Sequence, residues 1–214
     1  MTKKNTYCKF YLIRHGQTEW NTKKIMQGHL DSPLTEKGVE QAKTTAEKLN
    51  NVKFDHAFSS DLLRAKRTAD IIMADHDLVI KTNHLLREVH LGPFQGKKID
   101  YFQEKLKNAL KHRESLSNEQ AMRCKVHPEL ESTEEIATRA IVFLREAALA
   151  YLGKNILVVS HAGTIRAVLI KLGFATNKEL PHGAIGNASH IIIDSDGVDF
   201  FVREVVGIDK KTDL

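Results

Sequence analysis

The 214 residues, 42% hydrophobic and 28% charged, are enough to bury one sizeable core and exclude a disordered polymer. Lys and Arg number 32 against 27 Asp and Glu, a formal +5, and the doublets Lys3-Lys4, Lys23-Lys24, Lys97-Lys98 and Lys210-Lys211 are scattered, which argues against nucleic acid but suits an anionic small molecule. Two distant cysteines, Cys8 and Cys124, without CxxC spacing exclude a disulfide framework and a zinc finger, and point to a reducing, cytoplasmic setting.

No repeat or linker divides the chain, so residues 1–214 read as one domain. Residues 9–13 form a short apolar strand, too short for a signal peptide, and no apolar run approaches a membrane span. Val39, Ala42, Ala46 and Leu49 recur at helical spacing over 35–49. Residues 54–59 again read as a strand. Leu62, Ala65, Ala69 and Ile72 then share one face of a helix over 61–73, with Arg64 off that face. Residues 78–82 form a weaker strand. Residues 97–131 break the rhythm: a helix-like piece carrying Ile99, Phe102, Leu106 and Leu110 precedes irregular polar sequence, as in an insertion that overhangs a sheet edge as a lid. A capping box, Ser132 to Glu135, opens a helix over 132–151. Residues 156–160 are apolar throughout, as in a strand buried on both faces, and 163–172 look helical. A hairpin over 189–194 and 198–205 closes the chain. This alternation predicts an α/β domain with a mostly parallel sheet, whose ligands bind outside the carboxyl ends of the strands.

Reactive side chains fall at those ends. Arg14 and His15 follow the first strand, Ser59, Ser60 and Arg64 the second, Arg87, Glu88 and His90 the third, and His161 the fourth. The set suits phosphoryl transfer. Guanidinium forks match the oxygens of a phosphoryl group in transit, and they also keep a nearby imidazole neutral and nucleophilic. A carboxylic acid such as Glu88 can protonate the leaving oxygen. Gly16 and Gly163 let backbone amides approach an anion, and Gly163 opens a helix whose N-terminus favours negative charge.

The ordered segments LIRHGQTEWN, LTEKGVEQA, FSSDLLRAKRTADII, LLREVHLGPFQG and ILVVSHAGTIRAVL resemble the histidine phosphatase superfamily, which also includes the cofactor-dependent phosphoglycerate mutases. The resemblance covers nearly the whole chain. It implies a three-layer α/β/α sandwich of the phosphoglycerate mutase-like kind, with a helical insertion over the active site. By that resemblance His15 takes the phosphoryl group, Arg14, Arg64 and His161 hold its oxygens, and Glu88 is the proton donor. Asn21 adds a phosphate contact, while Gln27, Gly28, Ala162 and Gly163 line the substrate side. The substrate is a small phosphorylated metabolite, with neither metal nor cofactor. Glu88-Val-His-Leu-Gly-Pro-Phe-Gln-Gly96 departs from the mutase pattern E-R-H-Y-G-x-L-Q-G at Val89 and Leu91 and agrees at Gln95. Glu129-Leu130-Glu131-Ser132 stands where the family commonly has Gly-Gly-Glu-Ser. A phosphatase is therefore expected, with a mutase as the alternative and a catalytically inactive binding domain as the third reading.

Two decoys fall away. Asp194-Ser-Asp-Gly197 resembles the start of a magnesium-dependent aspartate phosphatase. Too little chain follows for its remaining motifs, so Asp-Gly reads as a hairpin turn. The 11 histidines include no metal-ligand spacing with a nearby carboxylate.

Overall fold

The computed structural model describes residues 6–212; the Lys3-Lys4 doublet lies outside them. Its strands are β1 (Cys8–Arg14), β2 (His56–Ser59), β3 (Ile80–Thr82), β4 (Asn155–Ser160), β5 (Ile185–Ser195) and β6 (Phe200–Ile208). They form one sheet in the order β3-β2-β4-β1-β5-β6, parallel from β3 to β1 and antiparallel across β5 and β6.

Strand side chains alternate between faces, and the two faces carry separate cores. Phe10, Leu12, Ile156 and Val158 meet Phe143 and Leu144 of α7 (Thr133–Ala150) and Ile165 and Leu169 of α8 (Ala162–Lys171). Tyr11, Ile13, Leu157 and Val159 meet Ala42 and Leu49 of α2 (Glu36–Leu49) and Ala65, Ala69 and Ile72 of α3 (Leu63–Ile72). The result is the expected three-layer sandwich. Thr35 accepts a hydrogen bond from the Gly38 amide to start α2, and the Ser132–Glu135 capping box starts α7.

The insertion differs from its expected irregularity. After α1 (Glu19–Thr22) in the first loop, residues 97–131 hold three short helices: α4 (Ile99–Lys105), α5 (Lys107–Ser115) and α6 (Asn118–Arg123). No residue of α5 is fully buried and only Leu110 of it packs inward, so the apolar pattern fades after that residue. A capping box between Ser117 and Gln120 starts α6. Phe102, Leu106 and Leu110 pack with Met26, Leu91, Phe94 and Leu130, which seats the insertion against the loops after α1 and β3.

Asp196 Oδ1 accepts from Val198 and Asp199 at 2.9 and 2.8 Å, and Gly197 sits at φ +95°, so the Asp-Gly pair is a hairpin turn. The hairpin strands run longer than the alternation indicates, because a bulge between Ile185 and His190, with Ala188 at φ +55°, interrupts it. No helix among the described residues is long and apolar enough to cross a membrane.

Candidate active site

The parallel strands end at one edge, and β5, running the other way, begins there. His15 follows β1 and is 2% exposed. Its Nδ1 lies 2.8 Å from Gly16 O. A carbonyl only accepts, so Nδ1 carries the proton and Nε2 keeps its lone pair. Burial, then the charges of Arg64 and Arg14, push the His15 pKa well below 6.5 against the opposing Gly16 hydrogen bond, and the ring is neutral. The His161 ring lies 5.2 Å away, centroid to centroid. Burial and the Arg64 charge likewise hold its pKa well down. Neither His161 nitrogen has a hydrogen-bond partner, although both are buried.

Arg14 Nη1 donates to Ile185 O at the start of β5, while its buried Nε is unpartnered. Burial lowers the Arg14 pKa to about 10, so the guanidinium stays charged. Arg64 lies on the buried face of α3 and is 2% exposed, which corrects its placement off the apolar face. Its Nη1 donates to Leu30 O and Asp31 Oδ1 at 2.7 and 2.8 Å, and its Nη2 to Gly28 O at 2.8 Å. The Arg64 Nε is a further unpartnered buried donor. Unpaired buried polar atoms are rare; here they lie on Arg14, Gln27, Arg64 and His161, all picked out from sequence, and also on Ser59, Ser189 and Asp194.

Asp31 was not legible in the sequence. Besides pairing with Arg64 it accepts from the Leu63 and Arg64 amides, so it also caps α3. Thr68 Oγ1 accepts from Gly16 N at 3.1 Å and donates to Arg64 O at 2.8 Å, tying the His15 loop to that helix.

Glu88 reaches the same place. Its Oε1 accepts from Val89 N at 2.9 Å and its Oε2 from Gly163 N at 3.3 Å, at the N-terminus of α8. Its charge acts on both Arg14 and Arg64. The segment that carries it is held by side chains at four successive carbonyls. Arg139 donates to Leu85, Arg87 and Glu88 O, Ser160 to Leu86 O, Thr164 to Arg87 O, and His29 Nε2 to Glu88 O. Glu131 grips Arg139 through two hydrogen bonds and accepts from His90 N. Arg87 itself turns away to a bidentate pair with Asp61, so the strand ends bring two arginines together, not three. His90 stacks edge-on against His29 at 5.0 Å.

The remaining expected residues surround this core. Asn21 shapes its own turn: its Oδ1 accepts from Thr18 N, Thr18 Oγ1 and Asn187 Nδ2, which leaves its Nδ2 as the donor end. Asn187 also donates to His15 O at 3.1 Å. Gln27 and Gly28 are buried, and Gly28, at φ +55°, has no room for a side chain beside Gln95. Ala162 packs on the α7–α8 core at the head of α8. A Cβ on Gly163 would lie 2.5 Å from Glu88 Oε1. Among the described residues no cluster of His, Cys, Asp and Glu is arranged to hold a metal ion.

Known proteins resemble the chain along this whole framework. It is 35% identical to phosphoglycerate mutase-like protein 4 of Arabidopsis thaliana over 76% of this chain and 70% of that one. The phosphoglycerate mutase structure from Bacillus anthracis superimposes with a TM-score of 0.81 at 30% identity, covering 97% of this chain and 95% of that one. A mycobacterial glucosyl-3-phosphoglycerate phosphatase gives 0.78 at 27%, covering 94% and 98%. With residues 10–206 matching its pattern, the chain belongs to the histidine phosphatase superfamily, branch 1.

Proposed function

We propose that this protein is a phosphatase that hydrolyses a small phosphomonoester through a phosphohistidine on His15. One observation carries the reading: a buried, neutral His15 with its Nε2 lone pair free, set among Arg14 and Arg64, each with its Nε unpartnered, and His161, with both ring nitrogens unpartnered. Nε2 attacks phosphorus as the ester P–O bond breaks, and protonated Glu88 delivers its proton to the leaving oxygen. The Glu88 carboxylate then takes a proton from water as that water attacks phosphorus. The N–P bond breaks and inorganic phosphate leaves. Arg14, Arg64 and His161 hold the phosphoryl oxygens through both steps. Asn21 adds a contact through Nδ2. Gln27, Gly28, Ala162 and Gly163 border the substrate, and no cofactor takes part. We place the protein in the cytoplasm, which its two free thiols favour.

Relatives carry both mutase and phosphatase names. Val89 favours hydrolysis. Where the mutase pattern has arginine, this side chain packs on Ile136, Ala137 and Ala167 and supplies no charge to hold a second anionic group. The test is incubation with 4-nitrophenyl phosphate. Phosphate release with acid-labile label on His15 is expected, and His15→Ala abolishes both. Phosphoryl exchange between the hydroxyls of phosphoglycerate far faster than phosphate release would refute hydrolysis in favour of the mutase.

A further inference from the structure

A second group of cations lies outside the phosphate pocket, and the one carboxylate whose charge acts on it is Glu114, beside Arg113 in the chain. Arg166 of α8 is 5% exposed. Its Nε donates to Leu180 O and its Nη2 to Asn177 O and Oδ1. Those acceptors are neutral and they leave Nη1 unused. Arg113 reaches in from α5, and its Nη2 lies 2.8 Å from His182 Nε2. A guanidinium only donates, so Nε2 accepts, the His182 proton sits on Nδ1, and the imidazole is neutral. His182 is exposed as a residue, but crowding of its ring by the protein and the charges of Arg166 and Arg113 push its pKa down.

The segment 177–182 joins these groups. It holds Arg166 through Asn177 and Leu180, and it meets the insertion twice, at the His182–Arg113 contact and where Asn177 N donates to Asn118 Oδ1 at 2.8 Å. Three basic side chains from three parts of the chain therefore converge. The Arg166 pKa is pushed down to about 10 by burial and by the Arg113 charge. Holding a loop in place accounts for Nε and Nη2 of Arg166. It does not account for a second guanidinium brought beside the first, where two like charges meet and the Glu114 carboxylate acts on Arg113 alone. The location is also informative. Arg166 lies four residues beyond Ala162, about 6 Å along the helix, and Ile185, three residues past His182, holds Arg14 through its carbonyl.

We propose that Arg113, Arg166 and His182 form a second anion site, beside the phosphate pocket, that binds a carboxylate or phosphate group. Guanidinium forks suit both anions. The group could belong to the substrate as its second acidic function, or to a free anion, and one experiment separates the two. His15→Ala protein, which leaves an added ester intact, is labelled with 15N-histidine and its ring signals are followed by NMR. The probes are inorganic sulfate, 3-phosphoglycerate and glycerol 3-phosphate. A saturable shift of His182, weakened about tenfold or more by Arg113→Gln, is expected. Movement of His161 and His182 together with one equivalent of 3-phosphoglycerate, but of His161 alone with glycerol 3-phosphate, assigns the group to the substrate. A His182 response to sulfate that is separate from the His161 response assigns a free anion. A His182 that answers none of the three, or answers equally in folded Arg113→Gln protein, overturns the site. Failure to label His15 in the wild type would overturn the phosphohistidine reading and leave this result standing.

Discussion

Replacing Arg139 with glutamine separates positioning of Glu88 from simple loss of fold. All five guanidinium donors are in use: Nε and Nη2 on Glu131, Nη2 also on Glu88 O, and Nη1 on Leu85 and Arg87 O. Glu131 and Arg139 are 23% and 17% exposed, so the pair is mostly removed from water. Removing one partner of a buried pair costs about 3–5 kcal/mol, and the residual exposure puts this case near 3 kcal/mol. A domain stable by about 5–15 kcal/mol tolerates that loss, and urea unfolding will measure it. The kinetic consequence is selective. An alkyl phosphate needs a proton on its leaving oxygen, whereas 4-nitrophenolate leaves without one. General acid catalysis contributes about 100- to 10,000-fold, and Arg139→Gln should forfeit the lower end of that range, about 100-fold in kcat on an alkyl phosphate. The loss on 4-nitrophenyl phosphate should be several-fold. Glu88→Gln should show the same dependence more strongly. Equal losses on both substrates in Arg139→Gln, with the fold intact and Glu88→Gln still selective, would refute the positioning role.

Gly163→Ala places a methyl 2.4 Å from Val89 Cγ2 and 2.5 Å from Glu88 Oε1. Overpacking of this kind costs about 1–3 kcal/mol, and alkyl phosphate turnover should fall further than aryl turnover. Unchanged kinetics would mean that the Glu88 carboxylate works from another position. Stability should also depend on acid pH. His15 and His161 both have folded pKa values below 6.5, so the unfolded chain binds more protons. Their contribution is present above pH 6.5 and is lost as pH falls below it, by up to about 1.4 kcal/mol per unit for each histidine. Urea midpoints of wild type and His161→Asn at pH 7.5 and 5.5 measure the difference. A wild type no more acid-sensitive than the variant would contradict the buried neutral assignment.

The site was legible where chemistry follows directly on a strand. Arg14, His15 and His161 each come at the end of an apolar run, so local pattern and reactive residue sit together. Arg64 was picked out, but its burial was not. A charged residue reads as surface until the carbonyls of Gly28 and Leu30, more than 30 residues away, are seen to receive it. Asp31, Glu131, Arg139 and Asn187 escaped because each acts on the site only through tertiary contacts and none adjoins a strand exit. Arg139 lies mid-helix, and nothing local separates it from the solvated Arg145 on the same helix. Ser160 and Thr164 flank His161 and could have been found as neighbours of a reactive residue, although their partners in the 86–87 loop could not.

One electrostatic habit runs through these contacts. Arg14 is held by Ile185 O and Arg166 by Leu180 O and Asn177 O. Carbonyl dipoles fix a guanidinium in place without cancelling its charge, so a positive potential survives where a carboxylate partner would have removed it. Two carboxylates are exceptions at the pocket: Glu88, whose charge acts on Arg14 and Arg64, and Asp31, which divides its oxygens between Arg64 and the amides that open α3. The surviving charge keeps the two histidines neutral and so works against folding at acid pH. The same charge is what a phosphoryl dianion meets on arrival in the proposed reaction. On the proposed function, the imbalance that lowers stability becomes transition-state stabilisation once the substrate supplies the missing negative charge.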